Sequence, residues 1–265
     1  MNPKISVIIS TYNEPKWLDF CLESYKDQTV NDFEIIIADD GSKEETKSII
    51  DKHKPLVAKH VWHEDKGFRK TKILNKAIRA SNGDYLLFTD GDCIANRNLI
   101  ETHCKKRRGK SYLSGSYYKL DEQTSKKINK HLIKDLYNRR TLKQLGHNPT
   151  YKSIKFLAPL PVRTILDKIT TTKPTWNGHC SSGWKKDIEA VNGFDERMVY
   201  GGEDRELGER LINNGIRPMQ IRHQSCLLHL YHKQGYILEE GKLFNQKIRK
   251  EVKNKQLKWT DFGIH

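Results

Sequence analysis

The chain has few of the features that would place it among secreted, membrane-spanning or zinc-stapled proteins. Its five cysteines, Cys21, Cys93, Cys104, Cys180 and Cys226, are scattered and include no C-x-x-C pair. This argues against a disulfide frame and a cysteine zinc site and points to reduced thiols. No stretch approaches the roughly 18 to 20 consecutive apolar residues that cross a bilayer. The opening MNPKISVIISTYNE runs directly into a strand pattern, without the basic, apolar and small-residue sections of a signal peptide, so a cytoplasmic protein is expected. There is no internal repeat and no low-complexity tract. Acid is the scarce charge: 33 Asp and Glu face 48 Lys and Arg, a formal net charge of +15. Such an excess attracts phosphorylated substrates, anionic lipid or nucleic acid, or serves solubility alone. Much of it lies near residues 119–173 and after Lys233. At 265 residues the chain suits one compact domain with an extension, or two small ones.

What is present is alternation. ISVIIS (5–10) is an apolar run short enough for a strand buried on both faces. Pro15 suits the first turn of a helix that carries Leu18, Cys21, Leu22 and Tyr25 on one face. FEIIIADD (33–40) reads as a second strand, and Ser42 with Glu45 forms a capping-box pattern opening a helix through Ile49 and Ile50. LVAKHVW (56–62) is a third strand, RKTKILNKAIRA (69–80) a helix stopped by Asn82-Gly83, and YLLFTD (85–90) a fourth strand. This order implies an α/β fold with a parallel sheet and right-handed crossovers. After Asn96 the pattern loosens. SYLSGSYYKL (111–120) reads as one strand, and 121–173 as a loosely packed, basic helical insertion. GGEDRELGERLINNG is a helix, PMQIRHQSCLLHLYH (218–232) one strand, and the remainder a basic helix.

Ligands in parallel sheets bind beyond the carboxyl ends of the strands. Thr11-Tyr12-Asn13-Glu14, Asp39-Asp40, His63-Glu64-Asp65 and Asp90-Gly91-Asp92 all fall just past such ends, so four strands deliver polar residues to one rim. Alone, Asp90-Gly91-Asp92 reads as a solvated turn. At the mouth of a buried strand, its carboxylates suit a hard divalent cation shared with substrate phosphates, and Gly91 lets backbone approach closely. Asp39 is either a turn acid or an acceptor for a uracil imide or a ribose hydroxyl. Thr11 and Tyr12 offer contacts to a nucleobase. Arg69 and Lys72, on the first turn of a helix, suit a diphosphate or form an ordinary basic face. Gly201-Gly202-Glu203-Asp204 opens a helix, where acids complement the dipole. In a loop bent by two glycines, a carboxylate also suits general-base work on a hydroxyl. His229 and His232 read as satisfied core or surface histidines, or one of them offers a neutral imidazole to a metal. Two histidines on a strand are not expected to face the same way, so at most one is a ligand.

Together SVIISTYNE, EIIIADDGS, KGFRKTKILNKAIRASNGDYLLFTDGD and NGFDERMVYGGEDRELGERL resemble the inverting family 2 glycosyltransferases of GT-A fold. The last stretch resembles the galactosyltransferase-like C-terminal motif of chondroitin-polymerase-type bacterial enzymes. The resemblance covers residues 4–100 and 176–232. It implies a Rossmann-like, mostly parallel central sheet flanked by helices, with a basic helical insertion and a C-terminal helix. Residues 1–100 would form the nucleotide-sugar-binding half of one GT-A domain, 101–232 the acceptor-binding and catalytic half, and 233–265 a basic helical extension.

By the same resemblance, Thr11, Tyr12, Glu14 and Asp39 line the uridine site, with Asp65 and Arg69 as further members. Asp90, beside Gly91, contacts ribose or metal. Asp92 is the main metal ligand, joined by His229, with His232 as the competing choice. Asp204 is the general base, with Glu203 near the sugars, and Asn177 and Trp184 make donor-sugar and acceptor contacts. WNGHCSSGWKK departs from the family's pattern there. The implied cofactor is Mn2+ or Mg2+, the donor a UDP-sugar, and the acceptor a glycan or lipid-linked oligosaccharide of bacterial surface polysaccharide. The basic middle and tail suggest peripheral docking on the anionic inner face of a membrane. Two other classes compete. A nucleic-acid-binding protein would not gather acids at the strand ends, and no nucleic acid is expected. A sugar nucleotidyltransferase would carry a glycine-rich loop with a lysine after the first strand, which TYNEPKW lacks.

Overall fold

The computed structural model describes residues 5–233 and 239–265. Strands β1 (Ser6–Thr11), β2 (Glu34–Asp39), β3 (Val57–Trp62) and β4 (Tyr85–Asp90) alternate with helices α1 (Pro15–Tyr25), α2 (Glu44–Lys52) and α3 (Lys70–Ala80). A short β5 (Cys93–Ile94) and α4 (Leu99–Lys106) lead to β6 (Ser111–Ser114) and β7 (Ser116–Lys119). Helices α5 (Glu122–Lys127), α6 (Arg139–Gln144), α7 (Ile154–Leu157) and α8 (Leu160–Ile169) follow. The chain ends with β8 (Ser181–Trp184), α9 (Lys185–Glu189), α10 (Glu203–Asn213), β9 (Arg217–Gln220), β10 (Cys226–His229) and α11 (Glu239–Asn254).

The main sheet has the order β3-β2-β1-β4-β8-β6-β9. Strands β1 to β4 are parallel, while β8 runs antiparallel to both β4 and β6. β1 and β2 are buried along their whole length and β4 along all but its last residue, Asp90. Burial on both faces is why they read as unbroken apolar runs. The strand order reverses beside β1, which places a crevice above Thr11 and Asp90. A second sheet, β5-β10-β7, stands next to that crevice.

Three expectations fail locally, each for a tertiary reason. The 111–120 stretch is two strands in two sheets. Gly115 N–H donates to Cys180 O (2.8 Å), and a Cβ on Gly115 would lie 2.3 Å from Cys180 Sγ, so the chain crosses there against another backbone. The 218–232 stretch likewise divides into β9 and β10, turning where Ser225 N–H donates to Ile221 O (2.7 Å). Ser42 does not cap α2, whose N-cap is Lys43; its hydroxyl accepts Asn13 N–H instead (2.8 Å).

Residues 121–173 are not loosely packed. Ile128, Ile133, Leu136, Leu142, Leu145 and Phe156 form a core with Trp17, Phe20, Tyr118 and Leu228. A buried Leu or Ile contributes about 1.5–3 kcal/mol, whereas an exposed ion pair such as Lys126–Glu122 is screened by solvent and contributes little. The segment is therefore held by its apolar side chains. On the far side α11 packs Ile248 and Val252 against Met198. The start of the expected C-terminal helix, 234–238, lies outside the described residues. Among the described residues, no helix is long and apolar enough to cross a membrane.

Candidate active site

The ends of β1 and β4 and the first turn of α3 face β10 and the loop before α10 across a cavity of about 540 Å³. That size suits a small-molecule site. Gly91 closes the turn: its N–H donates to Ser10 O (2.8 Å), and a Cβ there would lie 3.2 Å from the same oxygen. Asp90 and Asp92 are thereby pressed against the end of β1.

On one wall, Asp92, His229 and His232 place an oxygen and two ring nitrogens within 4.8 Å of one another. Nε2 lies 3.6 Å from Asp92 Oδ2 for His229 and 3.1 Å for His232. Nδ1 of His229 bonds Leu230 O (2.7 Å), and Nδ1 of His232 bonds Lys233 O (3.2 Å). Those bonds make Nδ1 the protonated nitrogen and leave Nε2 to serve as the ligand atom, the arrangement that metal-bound imidazoles adopt. The donor set fits a divalent cation. The expectation that the two histidines face different ways is overturned, because both turn Nε2 toward Asp92. β10 ends at His229, Leu230 N–H donates to Asp92 O (2.9 Å), and the chain turns so that His232 returns to the same side. Without a metal, the bond to Asp92 holds the His232 imidazole above its ordinary pKa.

The opposite wall carries acids around one cation. Asp90, expected on ribose or metal, lies outside that donor set, because its Oδ1 accepts from Lys70 Nζ and Ser10 Oγ (both 2.7 Å). Burial works against both charges, but Lys70 holds Asp90 well below the usual carboxylate range. Asp90, Asp204 and Glu203 in turn hold the Lys70 ammonium above its ordinary value. Gly202, at φ +97°, makes the left-handed turn into α10. Glu203 folds back to accept Gly201 N–H (2.8 Å). Asp204 points into the cavity with Oδ1 lacking a hydrogen-bond partner. Burial first, then the Glu203 charge, pushes its carboxyl up to about 7. His179 lines the cavity between the two walls, edge-on to Tyr117 (4.5 Å), and burial pushes its imidazole down to about 4.

The third side is the end of β1. Thr11, Tyr12 and Glu14 line the cavity, and Tyr12 Oη donates to Asp65 Oδ2 (2.9 Å), which puts Asp65 behind Tyr12 and off the lining. Asp39 does not reach the cavity: its oxygens accept Ser42 N–H (2.8 Å) and pair with His60 Nε2 (2.9 Å). Its neighbour Asp40 lines the cavity instead, bonded to His63 (2.7 Å) and to the Arg69 N–H that opens α3 (3.0 Å). The Arg69 side chain turns to Glu64 O, and Lys72 pairs outward with Glu196, so of these three basic residues Lys70 is the one facing the site.

Two expected contacts are misplaced. Trp184 pairs with Tyr85 at the start of β4, about 16 Å of strand from the rim at ~3.3 Å per residue. Its Nε1 donates to Arg108 O (2.8 Å). Asn177 spends its carbonyl on Cys180 N–H (2.8 Å) and its amide on carbonyls around β6, shaping the turn that presents His179. Lys70, Asp40, His179 and Tyr117 were missed. Lys70 and Asp40 each adjoin a residue singled out above, and alternation at the strand end was the signal that favours Asp40 over Asp39.

Comparison with known proteins decides the family. The profile of Glycosyl transferase family 2 matches residues 6–159, more than half of the chain. The chain belongs to that family. Residues 168–233 further match the family described as the N-terminal domain of galactosyltransferase. Validoxylamine A glucosyltransferase of Streptomyces hygroscopicus subsp. jinggangensis (strain 5008) is 27% identical over 88% of this family 2 chain and 57% of its own length. Chondroitin synthase of Escherichia coli is 26% identical over 80% of this chain and 32% of its own. The chain thus spans well under two thirds of either relative. Among solved structures, S. aureus TarS 1-349 in complex with UDP-GlcNAc superposes with a TM-score of 0.61 at 16% identity, over 88% of this chain and 60% of that one. Mannosyltransferase PcManGT from Pyrobaculum calidifontis, in complex with GDP-Man and Mn2+, gives 0.59 at 17%, over 89% and 59%. The fold is that of the GT-A glycosyltransferases.

Proposed function

We propose that this family 2 chain moves a hexose or N-acetylhexosamine from a UDP-sugar to a hydroxyl of a glycan or lipid-linked glycan, in bacterial surface polysaccharide synthesis, with inversion. Asp204 carries the reading. It is a half-buried carboxylate pushed up to about 7, aimed into the cavity that also holds Asp92, His229 and His232. A base near neutral is what proton removal from a hydroxyl requires. The relatives add support: two are named as a glucosyltransferase and a chondroitin synthase, and the neighbouring structures hold UDP-GlcNAc, or GDP-Man with Mn2+.

In this reading Thr11, Tyr12, Glu14 and Asp40 receive the uridine, with Asp65 bracing Tyr12. Asp92, His229 and His232 hold the metal. Two nitrogens and one carboxylate favour Mn2+ over Mg2+, which prefers oxygen alone. When bound, that cation offsets negative charge on the diphosphate. Lys70, kept protonated by its acids, adds a fixed positive charge from the opposite wall. Neutral His179 offers a ring N–H to sugar hydroxyls. The acceptor oxygen attacks the anomeric carbon as its proton passes to Asp204. The bond from that carbon to the diphosphate oxygen breaks, and its electrons leave with UDP. Attack opposite the leaving group turns an α-linked donor into a β-linkage.

The test is UDP release from UDP-galactose, UDP-N-acetylgalactosamine and UDP-glucose in the presence of Mn2+. Asp204→Asn should lower turnover by about 10²-fold or more while UDP still binds. Equal turnover removes Asp204 from the role of base.

A further inference from the structure

Helix α8 is built inside out. Val162, Ile165, Leu166 and Ile169 stand at i, i+3, i+4 and i+7, the spacing of a face that normally packs on a core. Here that face meets solvent: Val162 is 41% exposed, Ile165 57% and Ile169 67%. The buried side of the helix carries an acid. Asp167 accepts His223 N–H (2.8 Å) and Gln224 Nε2–H (2.8 Å) and pairs with the His223 ring (2.9 Å). Those bonds lock the helix rotation that turns its apolar stripe outward. Tyr151 and Ile154, both exposed, add apolar surface before the helix, and they line a shallow crevice of about 700 Å³ with Arg139 and Leu157.

The charge around this stripe has one sign. From 138 to 173 the chain has Arg139, Arg140, Lys143, Lys152, Lys155, Arg163, Lys168 and Lys173 against one acid, the inward Asp167. Lys155, Arg163 and Arg222 gather around Cys226, and the Nε atoms of Arg163 and Arg222 are buried without a hydrogen-bond acceptor. As residues, Lys155, Arg163 and Arg222 are half-buried and not enclosed, and ammonium and guanidinium groups at a surface attract phosphate.

We propose that α8 with the adjoining 151–155 turn is a membrane-docking face: the apolar stripe enters the acyl boundary of an anionic bilayer, and Lys155, Arg163 and Arg222 bind headgroup phosphates. Charge complementarity selects this occupant. Nucleic acid would need no apolar ridge, and an apolar protein partner no ring of cations. The face adjoins the cleft, because Lys155 Nζ donates to Tyr117 O (3.4 Å) and Tyr117 lines the cavity. A lipid-linked acceptor would therefore approach from this side. That last step rests on the transferase reading; the lipid contact does not.

The experiment is co-sedimentation of the full chain with phosphatidylcholine vesicles, with and without phosphatidylglycerol and in the absence of donor. Binding is expected only to the anionic vesicles and to weaken with salt. Arg163→Gln/Arg222→Gln should weaken it by about fivefold per charge, and Ile165→Ser/Ile169→Ser by at least as much. Because Ile165 and Ile169 are exposed, that variant should melt like the parent and still bind UDP. Equal binding to neutral vesicles, no binding, or unchanged binding in both variants overturns the proposal. So does a dimer, seen by sedimentation velocity, that Ile165→Ser/Ile169→Ser dissociates: it would make a second copy the occupant. Failure here leaves transfer to soluble acceptors intact, so the two readings fall separately.

Discussion

Gly178→Ala tests the position of the base without touching its chemistry. An added Cβ would lie 2.8 Å from Asp204 Oδ2, 2.9 Å from Oδ1 and 3.1 Å from Cγ. Its backbone is not in the left-handed region, so alanine is tolerated locally and its nearest conflicts are with the carboxylate. Ordinary contact begins at 3.4 Å, so 3.4 less 2.8 leaves 0.6 Å for Asp204 or its loop to move. A 1 Å misplacement of a reacting group costs about 10²-fold, so a shift of this size should lower kcat by roughly 10-fold. KM for the donor should stay near the parent value, since the nucleotide pocket is at the end of β1 and Asp204 is at the start of α10. The Gly178 N–H also bonds Asp204 and lowers its pKa, so stretching that bond should move the acidic limb of the rate profile upward. The assay is UDP release across pH, with Gly109→Ala, which meets nothing within 4 Å, as control. A kcat within twofold of the parent and an unmoved limb would refute the idea that Asp204 must sit where Gly178 holds it.

Three further outcomes are expected. A base raised to about 7 works only when deprotonated, so kcat should rise with pH through about 7 and level above it. Glu203→Gln removes the neighbouring charge and should move that limb down, and a profile flat across it rejects the assignment. Asp92→Ala should abolish metal-dependent UDP binding. His229→Ala and His232→Ala should each weaken Mn2+ by at least about 10- to 100-fold, the scale set by outer-shell changes. Calorimetry showing parental affinity in one variant removes that histidine from the donor set. Arg210 and Glu206 are fully buried and paired (2.6 Å), and Arg210 also bonds Val191 O and Gly193 O (2.6 Å to the latter). Arg210→Ala should cost about 3–5 kcal/mol in chemical denaturation, because it strands a buried carboxylate; a loss below about 1 kcal/mol would show that the pair relaxes.

Much of the first half was legible from the chain alone. Strands buried on both faces must be apolar without interruption, so β1, β2 and β4 announce themselves, and the polar residues ending them must share one rim. Asp92 was marked by the same local pattern, and Glu203-Asp204 by the two glycines before it. What local pattern cannot carry is how distant segments meet. Trp184 looked like a sugar contact until antiparallel pairing with Tyr85 carried it to the far end of β4. His229 and His232 both reach Asp92 only because β10 pairs with β5 and then turns. The stripe on α8 has the spacing of a core helix, and the buried bonds of Asp167 turn it to solvent. Periodicity is a property of neighbours along the chain, so sequence by itself determined the first four strands, the helices between them and the rim. Which side chains stand together across that rim depends on strand order and helix rotation, and those only the tertiary structure decided.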